Sequence, residues 1–342
     1  MQAQSKTPPA RAYALLALSA LSTSLGCDPS ASTDALESAP ALRDEVARSA
    51  LPADCEQRLS FRAGSTNDAP YQVASGYEGY QTFDFDIPWR GESVQAVAIV
   101  PRVDNTKVVH HFTLSDGTGA HLAHWAPGSE PERVPDDVGR FIPSVGKLKL
   151  EIHYYNKNPG AAPEPDRTGF EVCITRTPRK HLAGMYPFAA NPVAPAGQVS
   201  HSTATCTVTG ATPVRVFSHA PHMHKLGTHA KLELLRADGT TEVLHDEAFR
   251  FEEQISYPLD VTLQPGDRVR TTCVYANPGT RSVGLGLGSD DEMCFNFVLY
   301  HPLCGFTCNT GRPEIDLVVA SQNGECRPGG SAVHAHADAG PR

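Results

Sequence analysis

The sequence predicts an all-β protein of the sandwich or barrel type. Short stretches alternate apolar and polar residues at the period of a β-strand, and long helical periodicity is hard to find. Glycine and proline contribute 28 residues each, so turns interrupt the chain often. The alternating stretches are VQAVAIV (94–100), VVHHFTL (108–114), KLKLEIHYY (147–155), AKLELL (230–235), DRVRTTCVY (267–275) and CFNFVLY (294–300).

Length and charge limit the function classes. The 342 residues suffice for two ordinary domains with their own cores. Charged residues make up 20% of the chain, and the formal net charge is -9. A nucleic-acid partner requires a basic face, so we expect none.

The N-terminus has the pattern of an export signal. Positive charge precedes the apolar run 12–21, which is too short to span a bilayer. The SLGC that follows resembles a bacterial lipoprotein cleavage box and ends at Cys27, although Ser24 stands where leucine is usual. The sequence therefore predicts residues 1–27 to be a signal peptide with lipidation at Cys27, and a plain secretory signal is the alternative.

The rest of the chain is then expected outside the cytoplasm, either as a cell-envelope lipoprotein attached to the membrane through Cys27 or in the periplasm or medium. Residues 28–50 are rich in Ala, Ser, Asp and Glu and predict a disordered tether. Without Cys27, an even number of cysteines remains, which suggests four disulfides in an exported chain. These cysteines are Cys55, Cys173, Cys206, Cys273, Cys294, Cys304, Cys308 and Cys326.

Two histidine motifs lie in predicted strands of the first half. His110 and His111 are adjacent, and adjacent strand residues point to opposite faces. They could share a metal only if the backbone twists or one ring reaches round, so alone they favour structural histidines. His153 ends another alternating strand, where a single histidine is more often structural than a ligand.

A third motif and a methionine suggest a metal site in the second half. His222 and His224 are two apart, so on a strand both imidazoles face one side and can reach one ion. Imidazole pairs suit Zn, Cu, Fe or Ni. Met293, next to Cys294, is ordinarily interpreted as a core residue. As a third ligand, its thioether would favour Cu(I) and disfavour zinc.

The ordered set VVHHFTL, HWAPG, LEIHYYN, HMHKLG, PGD, TTCVY and DEMCFNFVLYHP resembles the copper type II, ascorbate-dependent monooxygenases. The likeness runs from about residue 70 to 303. It implies two consecutive antiparallel β-sandwich domains, each with one copper, facing each other across a solvent-filled cleft. The expected organisation is an N-terminal copper domain at 51–178, a linker at 179–198, a C-terminal copper domain at 199–326 and a disordered tail at 327–342.

The resemblance also implies the ligands and the reaction. An electron-transfer copper would be bound by three imidazoles, and a catalytic copper by two imidazoles and one thioether. The implied ligands are His110, His111 and His153 for the first copper, and His222, His224 and Met293 for the second. The expected function is hydroxylation of a C–H bond in a small, partly apolar substrate, with O₂, two coppers per chain and ascorbate or a similar reductant.

Disulfide pairs follow from the same resemblance. In the family, a cysteine after the methionine pairs with one about twenty residues earlier, which implies Cys273–Cys294. Cys206 is expected to pair with Cys304 or Cys308. Cys55 and Cys173 would brace the N-terminal domain, and Cys326 would take the remaining partner.

The expected substrate pocket departs from part of the family pattern. Ala220 and Phe297 stand where the peptide-hydroxylating branch has an arginine and a tyrosine that bind a carboxylate, so glycine-extended peptides are not expected as substrates. Glu151 matches the amine-hydroxylating branch. Met293, Phe295 and Phe297 alternate along one strand face, which predicts an apolar, aromatic wall near the catalytic copper.

Two other functions remain open at this level. An exported copper-binding or copper-sensing lipoprotein would need the ligands but no open coordination position and no substrate pocket. A zinc hydrolase at the HMH motif would need a carboxylate or a third histidine in place of Met293.

Overall fold

A computed structural model describes most of the chain after the predicted tether. The described residues are 52, 55–64, 69–117, 119–129, 132–156, 160, 162–286, 288–303, 306–309, 321–322 and 325–326. The predicted signal peptide, the predicted tether and the predicted tail lie outside these residues. Within the described part, we find no helix long and apolar enough to cross a membrane.

The described residues form β-strands and no α-helix, which confirms the predicted all-β class. The strands of the first half are β1 (Gln57–Arg62), β2 (Tyr71–Val73), β3 (Glu78–Asp86), β4 (Gln95–Arg102), β5 (Val109–Asp116), β6 (His121–Trp125), β7 (Val138–Arg140), β8 (Lys147–Tyr155), β9 (Glu164–Asp166) and β10 (Gly169–Thr175). Those of the second half are β11 (His181–Ala189), β12 (Val193–Ala194), β13 (Gln198–Val208), β14 (Val214–His222), β15 (Gly227–Leu235), β16 (Thr241–Ala248), β17 (Tyr257–Leu263), β18 (Arg268–Asn277), β19 (Val283–Gly284), β20 (Phe295–His301), β21 (Phe306–Asn309), β22 (Ser321–Gln322) and β23 (Glu325–Cys326).

One long sheet runs through both halves of the chain. Its eight strands follow the order β1-β10-β4-β7-β11-β20-β14-β17. A four-stranded sheet, β3-β8-β5-β6, packs on its first half, and a five-stranded sheet, β16-β15-β18-β13-β21, packs on its second. The result is two sandwiches that share a continuous sheet.

In the N-terminal sandwich, strand alternation separates the core from the functional face. On β8, Leu148, Leu150 and Ile152 are fully buried in the core. Glu151 and His153 alternate with them and therefore face the other side of the four-stranded sheet. Burying one such aliphatic side chain contributes roughly 1.5–3 kcal/mol, which holds the strand in this register.

The C-terminal sandwich uses the same alternation on β20. Val298 and Tyr300 lie in the core between the long sheet and the five-stranded sheet. Phe295 and Phe297 lie in a separate apolar cluster that contains Met293. Alternate positions of a strand face opposite sides. Phe295 and Phe297 therefore point away from the core that holds Val298 and Tyr300, and they lie beside Met293.

The segment 179–198, expected to be a linker, instead contains β11 and β12. β11 pairs in parallel with β7 and antiparallel with β20, so it joins the two halves of the long sheet. Its residues are buried from Ala183 onward, and a run that is buried on both faces is typical of a central strand. The assignment of one copper domain to each half stays a prediction.

Within the described residues, three disulfides brace the sandwiches. They are Cys55–Cys173, Cys206–Cys308 and Cys273–Cys294. Cys206 and Cys308 stand directly opposite each other on β13 and β21, so Cys206 pairs with the second of its two expected partners. Cys27 and Cys304 lie outside the described residues, and so does the side chain of Cys326. Disulfides of this kind are typical of an oxidising compartment.

Candidate metal centre

A β-bulge brings three imidazoles of the N-terminal sandwich together. His111 stands directly opposite His153 on β5 and β8, and the register shifts between Val109 and His111. The extra residue in the bulge is His110, and a bulge reorients side chains that would otherwise alternate. The bulge explains how two adjacent histidines can belong to one site, although adjacent residues of a regular strand point to opposite faces.

The ring nitrogens of this trio converge. One nitrogen from each of His110, His111 and His153 lies within 4.8 Å of the others. The Nδ1 atoms of His110 and His111 are 2.9 Å apart, while Nδ1 of His153 is buried and has no hydrogen-bond partner in the described part of the chain. Buried nitrogens are normally paired, so this set fits the coordination of one cation.

Both halves of the chain contribute the surroundings of the trio. The Tyr80 hydroxyl lies 3.3 Å from Nε2 of His111, and the Tyr80 ring stacks on His153 at 4.5 Å. From the C-terminal half, Ser289 Oγ lies 3.4 Å from Nε2 of His153, and Phe251 stacks on His110 at 4.1 Å. These contacts engage the Nε2 atoms of His111 and His153, which leaves their Nδ1 atoms as the ligand atoms.

His222 and His224 form the second set at the end of β14. The strand ends at His222 and His224 follows in the next turn, so the pair does not lie on one strand face; the ring centroids are 5.4 Å apart. Nδ1 of His222 contacts Oε1 of Gln254, and Nδ1 of His224 contacts the Asp291 carbonyl at 3.2 Å. Nε2 of His224 is buried and has no hydrogen-bond partner among the residues that the structure describes.

Met293 is held next to this pair by a buried carboxylate. Glu292 accepts hydrogen bonds from the backbone N–H groups of His224 at 3.0 Å, Leu226 at 2.7 Å and Met293 at 3.2 Å. Burial raises the pKa of Glu292 to about 7, and these N–H groups oppose the rise. The Tyr275 hydroxyl donates to the Met293 carbonyl at 3.0 Å.

Burial keeps all five imidazoles of the two sets in the neutral form. Burial is the first cause in each case: it lowers the pKa of His110 and His224 to about 4 and that of His153 to about 3. It also lowers the pKa of His111 and His222 well below the ordinary value. At neutral pH each ring therefore offers a lone pair, which a metal ligand requires.

The two sets are in contact, which differs from the expected solvent-filled cleft. The ring centroids of His111 and His222 are 5.1 Å apart. Ser289 and Phe251 of the second half reach the first histidine trio directly. The shared eight-stranded sheet accounts for this proximity, because β11 ties the halves together without a spacer.

A cavity of about 60 Å³ adjoins both sets. Its walls include His111, His222 and Met293, together with Glu151, Phe295 and Phe297 from the expected substrate pocket. Ala220 is buried in the apolar cluster of Phe297 but does not line the cavity.

Some residues of this site were missed at the sequence level. Tyr80 and Gln254 hold ring positions but lie in no motif, and no sequence signal marks them; Ser289 opens the stretch SDDEMCFNF without a role assigned to it. Glu292 directly precedes Met293 in DEMC, so a buried carboxylate beside a ligand could have been suspected. His124 lies in HWAPG and lines the cavity.

Comparisons with known proteins find a matching family model and similar sequences. The family described as "Copper type II ascorbate-dependent monooxygenase, C-terminal domain" matches residues 181–316. Peptidyl-glycine alpha-amidating monooxygenase A of Xenopus laevis is 26% identical over 212 residues, covering 56% of this chain and 22% of that protein. Dopamine beta-hydroxylase of Canis lupus familiaris is 30% identical over 200 residues, covering 53% and 32%.

A longer match reaches into the N-terminal half. Dopamine beta-hydroxylase of Rattus norvegicus is 26% identical over 314 residues, covering 78% of this chain and 49% of that protein. The chain thus spans less than half the length of these relatives. Residues 181–316 thus match the C-terminal domain of the copper type II ascorbate-dependent monooxygenase family, and the matches to these relatives extend the similarity into the first half of the chain.

Proposed function

We propose that this chain is a copper-dependent monooxygenase that hydroxylates a C–H bond of a small, partly apolar substrate, using O₂ and an ascorbate-type reductant. One observation carries the proposal: His111 of the imidazole trio, His222 of the imidazole pair and Met293 line the same cavity. The non-catalytic alternative, a protein that only binds copper, does not require a cavity beside the copper ligands.

The donor atoms support copper as the metal. Neutral imidazoles suit several transition metals, but the thioether of Met293 favours Cu(I). The zinc hydrolase alternative requires a carboxylate or third imidazole on the second set. The carboxylate of Glu292, directly before Met293, instead accepts hydrogen bonds from backbone N–H groups.

The residues of the chain orient the ligands and shape the cavity. Bound copper would supply the one-electron chemistry that activates O₂, which side chains lack. Gln254 and the Asp291 carbonyl engage Nδ1 of His222 and His224, which leaves Nε2 as the ligand atom of each ring. In the overall reaction one atom of O₂ enters the C–H bond and the other leaves as water, with two electrons and two protons from the reductant.

The cavity supports a neutral or cationic substrate. Phe295 and Phe297 provide an aromatic wall beside Met293, and such a wall cannot repay the desolvation of a substrate carboxylate. The Glu151 carboxylate lines the same cavity and would attract an ammonium group.

The proposal predicts a selective oxygen uptake. Copper-loaded protein should consume O₂ with ascorbate when phenethylamine-type or neutral apolar compounds are present, and should form their hydroxylated products. Glycine-extended peptides should give no product. The measurement is oxygen uptake with mass-spectrometric identification of the product.

A charge-removing variant sharpens this test. Glu151→Gln should weaken turnover of the amines by about tenfold, the scale of one charge-assisted hydrogen bond, and leave neutral compounds nearly unaffected. Turnover confined to carboxylate-bearing peptides would contradict this account of the cavity. Bound copper with no uptake for any compound would favour the non-catalytic copper-binding alternative.

Export is part of the proposal. The three disulfides support folding in an oxidising compartment. We propose that the chain acts in the cell envelope or beyond it, and mass spectrometry of a lipid-modified Cys27 in membrane fractions would decide between attachment and release.

A further inference from the structure

His124 stands on the cavity face of the four-stranded sheet, one row away from the histidine trio. His111 pairs with His153 across β5 and β8, and two residues further along Thr113 pairs with both Glu151 and His124. Residues directly opposite on neighbouring strands have adjacent side chains on one face. Glu151, Thr113 and His124 therefore form a polar row beside the metal-binding row, and all three line the cavity.

One ring nitrogen of His124 is buried and unpaired among the described residues. There Nδ1 has no hydrogen-bond partner, whereas Nε2 lies 3.5 Å from Ser256 Oγ. The ring stacks on Phe297 with centroids 4.8 Å apart and an interplanar angle of 22°. Buried polar atoms without a partner are rare in folded proteins, so this nitrogen calls for a ligand that reaches it through the cavity.

The environment of His124 favours an uncharged ligand group. Burial lowers the pKa of His124, so its ring is neutral and offers one donor and one acceptor. The nearby charges of Glu132 and Arg140 act on the ring in opposite directions. They form a buried ion pair at 3.2 Å, and Ser218 Oγ donates to Glu132 at 3.1 Å.

We propose that His124 is a specificity-determining residue whose Nδ1 hydrogen-bonds an uncharged hydroxyl or carbonyl group on an apolar substrate. The substrate body would lie against Phe297, in the cavity that His124 shares with His222 and Met293. This inference rests on the proposed function only in taking that cavity as the substrate site.

Binding to the copper-free protein tests this role without catalysis. The chain has two tryptophans; Trp125 lines the cavity, whereas Trp89 is 1% exposed and donates to the Pro143 carbonyl. Fluorescence of Trp125 should therefore report occupancy. The probes are 4-methylphenol and toluene, which differ by one hydroxyl. The wild-type protein should bind 4-methylphenol about fivefold more tightly than toluene, the scale of one hydrogen bond between neutral groups.

Variants assign the preference to the imidazole nitrogen. His124→Phe keeps a ring against Phe297 but removes Nδ1, and toluene should then bind at least as well as 4-methylphenol. His124→Asn, which places an amide near the position of Nδ1, should restore part of the preference. His181→Phe, on β11 outside the cavity, should keep the wild-type preference.

The outcomes separate this inference from the proposed function. A preference for 4-methylphenol that persists in His124→Phe overturns the role of His124. Equal affinity of the wild-type protein for both probes, or no binding of either, overturns it without any variant. Failure of the copper-loaded protein to consume O₂ affects the proposed function alone, because the binding measurement contains no metal.

Discussion

Met293→Ile is expected to reduce hydroxylation by more than about 100-fold while the fold stays intact. Changing residues that merely orient ligands costs 10–100-fold, so removing the thioether ligand itself should cost more. Isoleucine is apolar and similar in volume, and such core exchanges usually cost less than about 1.5 kcal/mol. Product formation and urea unfolding of the same preparation measure the two effects.

A second methionine of the same cluster provides the matched control. Met185 is 1% exposed, lies in the apolar cluster of Met293, and belongs to neither ligand set. Met185→Ile should lose comparable stability and keep its activity. Normal hydroxylation by Met293→Ile would show that Met293 is not a ligand of the catalytic copper.

The proposed reaction needs two electrons, and the copper expected at His110, His111 and His153 would supply one of them. His153→Ala should impair this supply. Removing one of three converging imidazoles should lower the copper content by about one ion per chain and steady-state turnover by more than about 100-fold. The second set keeps its ligands, so the protein should still bind one copper. Metal analysis and turnover with ascorbate are the measurements.

His219 offers a control for the loss of a buried ring. It is 1% exposed, stacks on Tyr257 at 5.3 Å, and lies in neither ligand set. His219→Ala should destabilise the fold without changing the copper content. If His153→Ala binds as much copper as His219→Ala, the trio does not hold a metal.

Much of the fold could be predicted because strand alternation is a local property. Leu148, Leu150 and Ile152 alternate with Glu151 and His153, and that pattern alone predicts a strand with one core face and one other face. The six alternating stretches correspond to β4, β5, β8, β15, β18 and β20. The buried run of β11 lacks alternation, so the sequence pattern predicts a linker there instead of a strand.

The details of the site depend on features that one sequence does not display. The bulge at His110 is a matter of pairing register, which two neighbouring strands decide together. The contact between His111 and His222 depends on how β11 joins the two halves of the long sheet. Gln254 is 32 residues from its partner His222, so no local pattern connects them.

Copper stoichiometry decides whether the chain binds metal through two ligand sets, one of three imidazoles and one of two imidazoles with a thioether. Protein that is loaded with Cu(I) under reducing conditions and freed of excess metal should contain about two coppers per chain. A stable value near one, in protein whose circular dichroism shows an intact β-fold, would contradict the account.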